Sequence, residues 1–200
     1  MLDKKAVEGI CTKIASEYPG WEYSNKTFKN KSLKYAENII SFSWSYSGLC
    51  SNFQPLLGMR HKKLCQIYKK IFGIALEWIS GELLTEIAPE YRSFKFFTDY
   101  TQPGRDHAYM EKMIRRIFLR CAQEIDRIYN FNSETELIES FPVQLEFQGG
   151  MKYCLSRVYL GDFEFVRKYR LRQLEGVNPH YRMDEQGIDQ IIKYYNISME

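Results

Sequence analysis

Eight consecutive residues of this chain alternate without a break, Ile40, Phe42, Trp44 and Tyr46 being interleaved with Ser41, Ser43, Ser45 and Ser47. Successive side chains of an extended backbone point to opposite faces. The pattern therefore predicts a strand with large apolar groups on one face and hydroxyls on the other, the latter open to solvent or covered by a partner. Gly48 to Asn52 reads as a turn and Phe53 to Arg60 as a second strand. Pro55 within it points to an edge position or a bulge, because proline has no N–H to give to a ladder.

Helical spacing brackets these strands. Val7, Ile10, Cys11, Ile14 and Tyr18 share one face of a first helix, capped by Asp3 and ended by Pro19-Gly20. Trp21-Glu22-Tyr23 starts a short strand, and Asn25 to Lys34 is a polar, lysine-rich segment. Leu64, Ile67, Tyr68 and Ile71 define a helix over 62–72, with Gly73 placed to cap its end. Ile74 to Ile79 is expected as a third strand. Residues 82–100 are ambiguous, with Phe94, Phe96 and Tyr100 hinting at a further one.

Gln102-Pro103-Gly104 precedes the longest helix, expected from Asp106 to Tyr129 on Met110, Met113, Ile114, Ile117, Cys121, Ile125 and Ile128. Lys112, Arg116, Arg120 and Arg127 fall on its opposite side. Ser133-x-x-Glu136 is a capping box for a short helix ending near Phe141-Pro142. Two helices at 151–160 and 162–174 flank Gly161, and Gly176 with Asn178-Pro179 breaks the second. Asp184 caps a last helix on Ile188, Ile191, Ile192 and Tyr195. Strands early and helices late predict an α+β fold: a small antiparallel sheet from the N-terminal half packed against helices, and a helical C-terminal half. A chain of 200 residues is expected to form one domain over 1–200, with 133–200 as its candidate helical subdomain.

Composition narrows the class. With 44% hydrophobic and 26% charged residues the chain is globular rather than disordered. Cys11, Cys50, Cys65, Cys121 and Cys154 are odd in number and include no C-x-x-C pair, and four of the five sit among apolar neighbours. Together with a polar N-terminus unlike a signal peptide, this predicts a reducing, cytoplasmic setting. No run of 18 apolar residues predicts a membrane span. The 15 Tyr and 13 Phe either fill the rim of a core or form a recognition surface.

The net charge of +3 is uneven: residues 1–72 hold 12 Lys or Arg against 5 Asp or Glu, whereas 73–99 hold 2 against 5. The basic segment around Arg60, Lys62 and Lys63 and the acidic segment around Glu82, Glu86 and Glu90 are the candidate partner-binding faces. Nucleic acid is the alternative partner, through the basic N-terminal third or the cationic side of the 106–129 helix.

Catalytic signatures are absent from the sequence. No phosphate-binding glycine loop, nucleophile elbow or H-E-x-x-H occurs. His61 and Cys65, spaced i, i+4, would share a helix face as two metal ligands, but no second cluster completes a site, so neither metal nor cofactor is expected. Glu134, Glu136 and Glu139 crowd a helix start, where capping and the helix dipole account for them better than acid–base work.

Several segments resemble small, functionally uncharacterised bacterial proteins encoded beside polymorphic-toxin genes. They are Ile39-Ile40-Ser41-Phe42-Ser43-Trp44-Ser45, Phe53-Gln54-Pro55, the Leu64–Phe72 helix, Thr135-Glu136-Leu137-Ile138-Glu139-Ser140-Phe141-Pro142 and Val158-Tyr159-Leu160-Gly161-Asp162. The likeness runs over residues 20–165 as an order of elements. It implies a non-enzymatic, cytoplasmic immunity-type protein that binds a toxin domain and blocks its active site, and it carries over no catalytic residue.

Overall fold

The computed structural model describes residues 4–47, 50–91, 95–97 and 107–199. Asp3, Gly48-Leu49, Phe94, Tyr100, Gln102-Pro103-Gly104 and Asp106 lie outside the described residues. So do the side chains of Ser43, Trp44, Ser45, Tyr46, Ser47 and Cys50. Cys50 to Asn52, read as part of a turn, belong to a strand. The fold is α+β, with an antiparallel sheet in the N-terminal half and a mostly helical C-terminal half.

The chain divides into two compact units, the first of residues 1–59 and 81–127, the second of 60–80 and 128–200. In the first, helix α1 (Lys4–Ser16) buries Val7, Ile10, Cys11 and Ile14, the face that the helical spacing predicts. Strands β1 (Trp21–Ser24) and β2 (Thr27–Asn30) follow, then β3 (Ala36–Ser47) and β4 (Cys50–His61). The sheet order is β1-β2-β3-β4-β5, where β5 is Ser80–Leu83, and β6 (Lys95–Phe97) also pairs with β4 at Cys50↔Phe97.

Strand β2 corrects the reading of Asn25 to Lys34 as a polar segment without an element. Asn25 and Lys26 take φ of 50° and 62°, and Ser24 pairs with Thr27. Two consecutive left-handed residues make the tight turn whose twist suits a hairpin. A single large apolar residue, Phe28, then anchors a strand that is otherwise polar. Its ring packs edge-on to Phe42 at 5.4 Å.

Strand β3 carries the predicted alternation as far as its side chains are described: Ile40 and Phe42 are buried and Ser41 is half-buried. Ile39 is buried too, so the opposite face is dry at that end of the strand. Strand β4 has ladder partners in β3, β5 and β6, which places Pro55 in an interior strand rather than at an edge. Its pairing with β6 covers Cys50 to Asn52 and stops short of the proline.

Helix α3 (Leu84–Ile87) and a 3-10 turn at Pro89–Tyr91 lead towards α4 (His107–Ile128). Met110, Ile114, Ile117, Cys121 and Ile125 are buried along α4, as predicted, whereas Met113 and Ile128 are half-buried. The helix also inserts Phe118 among the rings of Tyr18, Trp21 and Phe28 at centroid distances of 4.8–5.1 Å.

The second unit holds α2 (Lys62–Phe72), α5 (Glu134–Glu139), α6 (Phe147–Tyr159), α7 (Phe163–Arg170) and α8 (Glu185–Tyr195). Gly73 ends α2 in the left-handed conformation and Asp184 caps α8, both as predicted, while Asp162, expected as the first residue of a helix to 174, is the N-cap of an α7 that ends at Arg170. The expected strand at Ile74 to Ile79 does not form: these residues are irregular, Ile74 is exposed, and pairing begins only at Ser80. Glu77 and the exposed Ile74 leave the run without a continuous apolar face to bury. Helix α6 starts four residues before the expected Met151, running through Gly149 and Gly150. A Cβ on Gly150 would meet the Tyr169 hydroxyl at 2.1 Å, so the glycine permits a close approach that the sequence does not reveal.

Candidate functional site

Within the second unit, polar side chains from three segments converge on one carboxylate oxygen of a fourth. His61 ends β4 in an extended conformation and serves as the N-cap of α2, its Nδ1 accepting the Leu64 N–H at 3.2 Å. Ser133 caps α5 by accepting from the Glu136 N–H, which sets Glu134 in the first turn. The Tyr159 hydroxyl, from α6, donates to Glu134 Oε1 at 2.8 Å. His61 Nε2 lies 3.2 Å from the same oxygen and Lys63 Nζ 3.5 Å from it. The His61–Glu134 contact is close without the alignment of a full N–H···O bond.

Burial and charge oppose each other here. The His61 side chain is 0% exposed and Glu134 31%. Burial holds the imidazole below its ordinary range, against the pull of Glu134 towards the charged form. The Tyr159 hydrogen bond, helped by Lys63 and His61, keeps Glu134 below the usual carboxylate range. Burial, then the bond to Glu134, raises Tyr159. Because Nδ1 accepts, the neutral ring carries its proton on Nε2, facing the carboxylate. Both nitrogens of His61 are thus turned to the protein's own groups. That arrangement fastens segments together and leaves no ring nitrogen directed at a substrate.

The geometry also separates the two residues weighed as a metal pair. His61 precedes α2 instead of lying on it, and its Nδ1 caps the helix, so it does not share a face with Cys65 as i, i+4 ligands. Among the described residues no group of three potential ligands gathers. Cys11, Cys121 and Cys154 are not poised as nucleophiles either. Burial pushes Cys11 up to about 12 and raises Cys121 and Cys154 as well.

The two charged candidate segments occupy different units. Arg60 and Lys62 are half-buried at the β4–α2 junction, and Lys63 is exposed while also reaching Glu134. Glu82 is half-buried on β5, Glu86 exposed on α3, and Glu90 lies 3.7 Å from Arg120. The basic side of α4 is interleaved with acid: Arg115 pairs with Glu17 and Glu111, and Arg120 and Arg127 with buried Glu124. Arg116 instead stands over the Tyr91 ring at 5.7 Å. The charge excess of residues 1–72 also disperses on folding, since the second unit holds 13 Lys and Arg against 12 Asp and Glu, a net charge of +1.

Among the described residues, Ile74, Val143, Phe147, Phe163, Leu171 and Tyr194 of the second unit are large apolar groups left exposed, as is Tyr109 on α4 of the first. Phe163, Glu164 and Arg167 of α7, with Tyr195 and the following Asn196, Ile197 and Ser198, line an open groove of about 410 Å3. Phe163 and Tyr195 lie 6.5 Å apart, and Arg167 is held by Glu164 through two bonds of 2.7 Å. The sequence signal was present in Phe163 directly after Asp162 and in Tyr195 at the end of the Ile188–Ile191 face. Neither could be paired across the chain from sequence. No protein-family model, curated protein or solved structure matches the chain.

Proposed function

We propose that this chain is a non-catalytic, immunity-type binding protein that neutralises a toxin domain by docking on it. The observation that carries this reading is the open Phe163–Arg167–Tyr195 groove. Aromatic side chains and arginine are enriched among the anchors of protein interfaces, and two rings beside a pre-positioned guanidinium lose little conformational freedom on binding. The commitment of both His61 nitrogens and the protonated state of Cys11, Cys121 and Cys154 support a non-enzymatic role. The pairing of the α4 arginines with Glu17, Glu111, Glu90 and Glu124 favours protein over phosphate as the partner.

The test is co-expression with a toxin gene neighbouring this one, with growth as the readout. Protection is expected, and the double variant F163A/Y195A should lose it while remaining folded. An anchor of this kind is worth about 2 kcal/mol or more, roughly a thirtyfold weakening for each ring. Equal cell death with and without the protein sinks the reading. Salt-sensitive binding to RNA or DNA by the purified protein would replace it with the nucleic-acid alternative.

A further inference from the structure

We propose that His61 is a proton-sensitive clasp, which holds the start of α2 to α5 and α6 when its ring is neutral and lets go of the helix cap when the ring is protonated. The argument begins with direction. Nδ1 of a ring that is 0% exposed accepts the Leu64 N–H at 3.2 Å. A neutral imidazole has one accepting nitrogen, and His61 uses it on the helix terminus. A proton added to that nitrogen turns the acceptor into a donor aimed at another donor. The cap is then lost, and one of the backbone N–H groups at the helix start is left without its partner in a dry setting.

The groups facing the ring decide how far this is offset. From α5, Glu134 stands 3.2 Å from Nε2 and favours the charged ring. From α6, the Tyr159 ring lies edge-on at 5.5 Å and its hydroxyl already occupies Glu134 Oε1. From α2 itself, Lys63 shares that oxygen at 3.5 Å and repels a second cation. Glu134 is therefore divided among three donors, and burial prevails over its pull. A histidine held low in the folded state contributes fully above its unfolded value, about 6.5. The contribution fades as pH falls through the lower, folded value. Glu134, held low as a carboxylate, keeps its own contribution until more acid conditions, below about 4.5. The His61 effect therefore stands alone between these two limits.

Nitrogen-detected NMR of the full chain at pH 7.5 is expected to show His61 as the Nε2–H tautomer with an unprotonated, hydrogen-bonded Nδ1. Urea melts from pH 7.5 to 5.0 should show the midpoint falling. In H61N the cap remains, because an asparagine oxygen also accepts from a helix N–H, and the midpoint should fall by less than half as much. If H61N does not fold, E134Q serves instead: without the carboxylate's support for the charged ring the folded-state value drops further, so the midpoint should begin to fall at the same pH, set by the unfolded chain, and fall further by pH 5.0. A His61 ring protonated at pH 7.5, or pH profiles unchanged in both variants, overturns the clasp.

Discussion

The two units keep their cores by different means. In the first, Phe118 sits among Tyr18, Trp21 and Phe28, and Phe28 meets Phe42, in contacts that use ring faces and edges without hydrogen bonds between the rings. Ion pairs such as Lys13–Glu111 lie outside that cluster at exposed positions. In the second, aromatic rings arrive with their hydroxyls already assigned. Tyr169 donates to the Leu145 carbonyl at 2.7 Å, Tyr181 donates to the Tyr169 carbonyl at 2.6 Å, and Tyr159 donates to Glu134. Ring packing tolerates small displacements, whereas a buried hydroxyl fixes both distance and angle. The helical unit, which lacks a long ladder to set its register, uses these directed bonds for that purpose.

What the units share is a dry interior, and that supplies the largest expected effect. With Cys11 pushed from 9.0 to about 12, its alkylation at pH 8 should be roughly a thousandfold slower in the folded protein than in urea. Cys154, in the other unit, should be protected as well; rapid labelling of either thiol in the native state would show that its unit opens readily. Phe118→Ala comes next. Removing a ring that is 1% exposed should destabilise by about 3–5 kcal/mol in a urea melt. A loss below about 1 kcal/mol would mean that the cluster does not hold the sheet unit together.

Tyr169→Phe tests the contrast most directly, because it removes one oxygen and no hydrophobic surface. It should cost about 1–3 kcal/mol through the unmet Leu145 carbonyl, and a neutral outcome would erase the distinction between directed and undirected cores. The smallest effect belongs to Ser133→Ala, which removes the α5 cap and should cost about 1 kcal/mol. Because α5 positions Glu134, the same variant should also shift the His61 ring resonances in NMR spectra. Unaltered His61 signals would detach the cap from the clasp.

Local rules were legible wherever one residue answers to its near neighbours. The capping residues Ser133 and Asp184, the Gly73 terminus, the buried faces of α1 and α4 and the burial of Ile40 and Phe42 follow from spacing alone. So did the α+β class. The β2 strand was not legible, because its hairpin depends on two left-handed residues, Asn25 and Lys26, in a stretch whose composition reads as loop. The failed strand at Ile74 to Ile79 shows the converse: an apolar run with no partner to complete a ladder.

The amino-acid sequence by itself determined the period of each element, where most helices stop, and the absence of catalytic signatures, because those depend on side chains a few positions apart. Only the tertiary structure decided that His61 and Tyr159 meet on one Glu134 oxygen, that Arg115 and Arg120 of α4 each meet an acid from another segment, Glu17 and Glu90, and that Phe163 meets Tyr195 beside Arg167. The reason is physical. A charge or hydroxyl declares its role through the groups within a few ångströms of it, and for these residues the neighbours come from positions 25 to 98 residues away along the chain.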